Sequence, residues 1–310
     1  MINDISLPRI TVIICVKNSV KTIEKSIQSA INQSYKNLEL IVIDSCSTDG
    51  TTQILNNYKN YINKFIVEED GGTGEAYNKG IRIASNDIIG FLNADDFYEK
   101  GILQMAGEKF LENPNIDILS FRYRVLDEGN NVIQVASLQD IIFDNNLPKC
   151  LGINAKFFKK NLFLDSGFIV EKDDKNRSFI CNDLEYIIRF KILGYKFFDV
   201  DWIAYNYLSH VNSLTFNKSL ERIIRLCEDN IFTAKIFLNN ASLMINSENW
   251  VNIFKKWKIK NRIRIILLLL KNREYIEAFK NYIIGLREND KFKFSLYLLK
   301  KTKLFFKKNI

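Results

Sequence analysis

The run Asp87-Ile88-Ile89-Gly90-Phe91-Leu92-Asn93-Ala94-Asp95-Asp96 carries an apolar stretch directly into two adjacent carboxylates. Such a run reads as a buried parallel strand. Its C-terminal end is where open α/β sheets bind ligands. Two neighbouring carboxylates repel each other unless positive charge lies beside them. A divalent cation carrying a phosphate meets that need, because hard cations take oxygen ligands. The plainer alternative is a loop or a helix cap, where Asp is also common. Another acid, Asp44, follows the apolar run Leu38–Ile43 and opens Asp44-Ser45-Cys46-Ser47-Thr48-Asp49-Gly50. There it can accept hydrogen bonds from a nucleotide base or ribose. It can equally serve a turn and helix cap, which Ser47, Thr48 and Asp49 also suit.

These acids need a scaffold, and the first hundred residues supply one by pattern. Ile10–Val16, Leu38–Ile43, Lys64–Val67 and Asp87–Leu92 read as strands, and Val20–Gln33, Thr51–Lys59 and Glu75–Ala84 as the helices between them. Such alternation means βαβ units and a mainly parallel sheet. Residues 98–210 are mixed. Strands are expected at Ile116–Val125 and Val132–Ala136 around the Asp127–Asn131 turn, then a helix at Asn182–Leu193 stopped by Gly194. Lys196–Val200 and Ile203–Leu208 read as further strands, and from about 216 the pattern is helical.

Composition narrows the class. The chain has 310 residues, 47% hydrophobic, with three prolines and thirteen glycines. That suits one large or two smaller globular domains and argues against disorder. The five cysteines (Cys15, Cys46, Cys150, Cys181, Cys227) form no C-x-x-C pair, and His210 is the single histidine. A zinc site is therefore not expected, and reduced thiols in a cytosolic protein are. Met1–Ser6 lacks the basic-then-apolar order of a signal peptide. The apolar stretch Ile265–Leu270 is too short to span a bilayer. Neither a G-x-G-x-x-G nor a Walker A loop follows the first strand, which runs into Cys15-Val16-Lys17-Asn18. Charge is unevenly placed. Residues 251–310 hold 17 Lys and Arg against 4 Asp and Glu, a net of +13 in a chain of +8, which leaves −5 for residues 1–250.

The order of segments resembles a known family. Ile10–Asn18, Ser29–Tyr35, Leu40–Thr51, Asp70–Ile81 and Gly90–Asp96 resemble the successive motifs of family 2 glycosyltransferases. The resemblance is specific over about residues 8–100 and weaker to about 215. It implies a GT-A fold, that is, a Rossmann-like α/β domain whose mainly parallel central sheet is flanked by helices, with a C-terminal α-helical extension. It implies a nucleotide-diphosphate sugar donor, Mg²⁺ or Mn²⁺, and inversion at the anomeric carbon. The domain would span 1–215, with a nucleotide-binding half at about 8–100 and an acceptor half at about 101–215. Residues 216–310 would form the basic helical region.

Carried over residue by residue, the resemblance assigns the donor pocket to Cys15, Val16, Lys17 and Asn18, to Asp44, to Gly72, Asn78 and Lys79, and to Asn93 and Ala94. Asp95 becomes the main metal contact of an Asp-x-Asp motif whose first position here is Asn93. An amide oxygen can ligate a metal but brings no charge. Ser45 and Lys17 stand where the family often has Asp and Tyr. Asn182-Asp183-Leu184-Glu185 resembles the segment bearing the general base, with Asp183 in the best position and Glu185 its rival. An acid at a helix N-terminus is expected to have a lowered pKa. The segment Asn206–Thr215 resembles the family stretch that folds over the diphosphate, which makes His210 a further metal contact, although a lone histidine is more often a packed or surface residue.

The expected activity is a metal-dependent inverting transfer to a glycan or lipid-linked acceptor in capsule, lipopolysaccharide or O-antigen synthesis. A sugar nucleotidyltransferase and an inactive nucleotide-sugar-binding module are the alternatives. The tail, where Phe254, Trp257, Ile263, Ile266, Leu267 and Leu270 alternate with Lys and Arg, reads as helices for an anionic membrane surface in preference to a packing module or nucleic acid. The expected location is the cytoplasm, at the inner face of the cytoplasmic membrane.

Overall fold

The computed structural model describes residues 7–137, 154–210, 219–243 and 247–307. The expectations for Met1–Ser6, Cys150 and Val211–Thr215 lie outside the described residues. The chain divides into two compact units, one made mainly of residues up to 216 and one mainly of 217–310.

The first unit opens as β1 (Ile10–Val16), α1 (Ile23–Ile31), β2 (Leu38–Asp44), α2 (Thr51–Asn57), β3 (Lys64–Val67), α3 (Thr73–Ile83) and β4 (Ile88–Asn93). These strands lie side by side in the order β3-β2-β1-β4, all parallel. β1 is the switch point, with β2 on one side and β4 on the other. Register levels their ends: Val16 pairs with Asp44, and Cys15 with Asn93. The acids after β2 and β4 therefore open on one crevice edge.

β1 is nearly all apolar because both faces of the sheet are covered. Ile10, Val12, Ile14 and Val16 pack with Ile23, Ile27 and Ala30 of α1, while Ile13 packs with Ala76, Tyr77 and Ile81 of α3. α1 starts three residues later than its spacing suggests. The Val20 amide instead donates to Asp49 Oδ2 at 3.0 Å, which holds the chain to the loop after β2.

The sheet continues through β5 (Phe97–Tyr98), α4 (Ile102–Glu112), β6 (Ile118–Leu126), β7 (Val132–Val135), β8 (Lys156–Lys159), α5 (Asn161–Ser166), α6 (Asn182–Ile192) and β9 (Phe197–Leu208). β8 bridges β4 and β6 antiparallel to both, β9 runs parallel to β6, and β5 closes the row against β9. The two expected strands at 196–200 and 203–208 are one strand, whose register against β6 slips around Arg122. The short β5, β8 and α5, and the longer α4, are additions that the periodicity did not single out.

The second unit holds α7 (Leu220–Asn239), α8 (Ser247–Lys271), α9 (Tyr275–Glu288) and α10 (Lys291–Lys307). α8 is its central helix. Ile265 and Leu269 pack on Cys227 and Ile231 of α7, whereas Ile263 and Ile266 pack on Phe294 of α10. Phe254, Trp257, Ile263 and Ile266 are thus core residues of this unit. No helix among the described residues is long and apolar enough to cross a membrane.

Gly90 lies in the middle of β4, where a Cβ would sit 2.6 Å and 2.9 Å from ring atoms of Phe157 and 3.1 Å from the Tyr98 hydroxyl. Gly90→Ala is expected to destabilise the fold by about 1–3 kcal/mol. A urea titration should show a lower midpoint at an unchanged slope.

Candidate active site

Asp44 is fully buried. Its Oδ1 accepts from the Ser47 amide (2.9 Å) and hydroxyl (2.6 Å), and its Oδ2 accepts from the Thr52 hydroxyl (2.6 Å). The carboxylate that the resemblance sets at a base or ribose also braces its own loop, through the contacts of a turn and cap. The loop is also sewn to the end of β1. The Asn18 amide donates to Ser47 Oγ at 2.8 Å, and Asn18 Oδ1 accepts from the Thr48 amide at 2.9 Å. Asn18 and Cys46 hold left-handed backbone, with φ of 50° and 57°. Lys17 and Asn18 are exposed on this rim. Val16 is buried, and its carbonyl accepts from the Ser45 amide. Burial, and then the nearby Asp70 carboxylate, push the Cys15 thiol well up, which keeps it neutral.

The turn before α3 is set by Asp70, which accepts from the Ser45 hydroxyl and the Gly72 amide. Gly72 has φ 131°, and a Cβ there would collide with Ser178 Oγ. Asn78 and Lys79, assigned to the donor by resemblance, have other work. Asn78 is buried, donates to Ile169 O and Glu171 Oε1 (both 2.8 Å) and accepts from the Ile169 amide (3.0 Å). It clamps the 169–171 segment. Lys79 donates to Glu69 O at 2.8 Å and pairs with Glu68 and Glu75.

The acidic end of β4 is divided by burial. Asp96 is 3% exposed and fixed from three sides. Its Oδ2 accepts from the Tyr205 hydroxyl (2.8 Å) and Asn93 Nδ2 (2.9 Å), and its Oδ1 from the Leu208 amide (2.9 Å). Burial and then the Asp95 charge raise its pKa well above the usual range, against these three bonds. Asn93 is spoken for as well, since its Oδ1 accepts from the Tyr77 hydroxyl at 2.7 Å. An amide at position 93 can donate to Asp96, whereas a carboxylate would face it with like charge. Asn93 thus acts in the frame of the site, and Ala94 is buried in the core.

Asp95 alone turns outward, with its side chain 32% exposed, and its Oδ2 lies 3.0 Å from Nε2 of His210. Among the described residues no group of three or more His, Cys, Asp or Glu could hold a metal. One open carboxylate beside one imidazole still fits a Mg²⁺ or Mn²⁺ that keeps water and phosphate as its other ligands.

At the start of α6, Asp183 and Glu185 separate. Glu185 is 1% exposed and pairs with Arg189 at 3.0 Å, and Arg189 in turn donates to the carbonyls of Ser166, Gly167 and Phe168. Glu185 is a structural ion pair. Asp183 is half-buried, and its Oδ1 accepts from the Leu184 amide at 2.7 Å. Burial raises its pKa and outweighs the backbone amides that lower it, contrary to the expectation from the helix terminus. α6 begins beside the Gly72 turn, because a Cβ on Gly74 would lie 3.0 Å from Asn182 Nδ2. Tyr207 lies in β9. Burial drives its hydroxyl well up, with the charges of Asp96, Tyr123 and Asp183 adding to it. Tyr77, Tyr205 and Tyr207 are site residues that sequence reasoning missed, and only the alternation along β9 hinted at the last two.

Comparison with known proteins supplies the family. The sequence model of "Glycosyl transferase family 2" matches residues 11–175, more than half of the chain. A putative teichuronic acid biosynthesis glycosyltransferase, TuaG of Bacillus subtilis, is 34% identical over 34% of this chain and 43% of its own length. The chain spans about half the length of the first curated relatives it matches. Staphylococcus aureus TarS residues 1–349, solved with UDP, superposes with TM-score 0.52 at 18% identity over 90% of this chain and 91% of that one. The Pyrobaculum calidifontis mannosyltransferase PcManGT, solved with GDP-Man and Mn²⁺, gives 0.58 at 15% identity over 96% and 80%. At these identities the structures speak for the fold, which is GT-A with C-terminal helices. The chain belongs to glycosyl transferase family 2.

Proposed function

We propose that the protein is a metal-dependent, inverting glycosyltransferase that moves a sugar from a nucleotide-diphosphate sugar to a hydroxyl of a glycan or lipid-linked acceptor. The observation that carries this reading is the outward Asp95 against His210 at the end of β4, with Asp183 at the start of an α6 that begins beside the Gly72 turn. The names of relatives, TuaG and a chondroitin synthase, support a setting in bacterial surface-polysaccharide synthesis, capsule or lipopolysaccharide included. The neighbours solved with UDP, UDP-GlcNAc and GDP-Man support a nucleotide-sugar donor. The enzyme would work in the cytoplasm, with its basic helical unit on the anionic inner face of the membrane.

The chemistry follows from the residues. Asp183 takes the proton of the acceptor hydroxyl as that oxygen bonds to the anomeric carbon. The bond from the anomeric carbon to the diphosphate oxygen breaks on the opposite face, and the nucleoside diphosphate leaves with the electron pair. Asp95 and His210 would hold Mg²⁺ or Mn²⁺, which supplies charge neutralisation for the leaving diphosphate. Asp96 and Asn93 keep Asp95 aimed outward. The exposed rim at Lys17 and Asn18 borders the donor.

Two experiments test this reading. Release of nucleoside diphosphate from the donor should require Mn²⁺ or Mg²⁺ and fall at least about 100-fold in Asp95→Ala. Metal-independent turnover, or full activity in that variant, counts against the assignment. Asp183→Asn should abolish transfer, and the acid limb of the wild-type kcat/KM profile should lie above the ordinary carboxylate range. The sign of the stability effect is opposite. A carboxyl with a raised folded pKa binds its proton more tightly folded than unfolded, so it destabilises the fold as pH rises through its ordinary pKa toward the raised one. At neutral pH the Asn variant should therefore melt no lower than wild type. A lower midpoint would mean that Asp183 serves the fold instead of the reaction.

A further inference from the structure

α8 and α10 flank a groove of about 470 Å³ within the helical unit. Ile263, Leu267, Leu268 and Tyr297 give it an apolar lining, and three cations, Lys260, Arg264 and Lys301, stand on it. Arg264 and Lys301 are exposed, and Lys301 Nζ lies 5.8 Å from the centre of the Tyr297 ring. None of the lining residues is acidic. Hydrocarbon beside phosphate-binding charge is the complement of an anionic amphiphile.

A second observation lies at the same end of the unit. Tyr275, Ile276 and Phe279 open α9 and are 62%, 76% and 63% exposed, and Leu299 of α10 is 60% exposed. The helix path places them near the groove. Glu288, at the end of α9, pairs with Arg262 of mid-α8 at 3.0 Å, so α8 and α9 run antiparallel across a short turn. α10 starts there, with Phe294 on Gly285, and returns alongside α8 until Lys301 meets Arg264, Leu267 and Leu268. The last turns of α8, the first of α9 and the later turns of α10 thus share one end, with Lys271 and Arg273 exposed on it. Single exposed apolar residues are ordinary, but an aromatic and aliphatic cluster set among Lys and Arg is the composition of a bilayer interface.

We propose that this end of the helical unit docks on an anionic bilayer, with the groove taking one acyl chain of an anionic phospholipid and setting its phosphate against Arg264 and Lys301. Ile276 and Phe279 then enter the headgroup boundary beside it. The inference rests on the membrane reading above and names the surface that performs it.

The test uses the full chain in flotation with phosphatidylcholine vesicles, with and without phosphatidylglycerol. Binding should need phosphatidylglycerol and weaken as salt rises. Each cation at an anionic surface is worth roughly fivefold in partitioning, so Arg264→Gln with Lys301→Gln should lower it by roughly 25-fold. Phe279→Ser should lower it by roughly tenfold. Donor hydrolysis in solution should be unchanged in both variants, which certifies the fold. Soluble dihexanoyl phosphatidylglycerol should raise the melting temperature, and inorganic phosphate alone should not. If the full chain binds no vesicle, the membrane reading and the groove fall together. If it binds but the neutralised variant binds as well, or if phosphate alone matches the lipid, only the groove is overturned.

Discussion

A carboxylate cannot be buried without partners, and the site is organised around one that is. Asp96 loses the water that would solvate it, at a cost of several kcal/mol. Three donors replace that water: the Tyr205 hydroxyl, the Leu208 amide and Asn93 Nδ2. These hydrogen bonds return part of that cost, and burial still holds the Asp96 pKa well above the ordinary carboxylate range. The donors come from the end of β4 and from β9, so satisfying this one side chain fixes the two strands to each other. The neighbouring charge of Asp95 opposes the arrangement, which is why Asp95 is turned toward water and His210. The same constraint accounts for an amide at position 93. It donates to Asp96 on one side and accepts from Tyr77 on the other, which an amide does without adding charge and a carboxylate does not.

The first four strands and the helices between them were legible in the sequence because their signals are local. Each of β1 to β4 is an apolar run bounded by turn residues, and parallel pairing follows from the helices between them. α4 escaped because Gly107 sits inside it and reads as a breaker. The glycine is there because the Tyr35 hydroxyl occupies the place of its Cβ, a contact across 72 positions that no pattern reveals. Asp44 illustrates another limit. The same Asp-Ser-x-Ser-Thr sequence serves a ligand or a turn, and only burial shows that its oxygens are used by Ser47 and Thr52. Glu185 could have been set aside earlier, since Arg189 stands four residues on, within reach on one helix face.

The helical unit shows where periodicity runs out altogether. An apolar stripe with lysines beside it describes a helix lying on lipid and a helix lying on protein equally well. α8 has two buried sides, toward α7 and α10, and so spends Phe254, Trp257, Ile263 and Ile266 internally. The apolar side chains left in water sit on α9 and α10, in segments whose pattern attracts less notice. Basic charge and core are interleaved along the same helices, with the cations carried outward on the stems of Lys and Arg.

The contacts that complete the acidic end of β4 also fix when the enzyme can become active. They join residues 109 to 115 positions apart, and each waits for β9 and the turn after it. A ribosome that has delivered β1 to β4 has made a sheet with an apolar core, but its acid pair faces water with neither tyrosine nor histidine in place. Asp183 arrives still later than the segment by which the family is recognised, which ends at residue 175. A chain that ends before residue 183 lacks both Asp183 and the contacts from β9 that close the acidic end of β4.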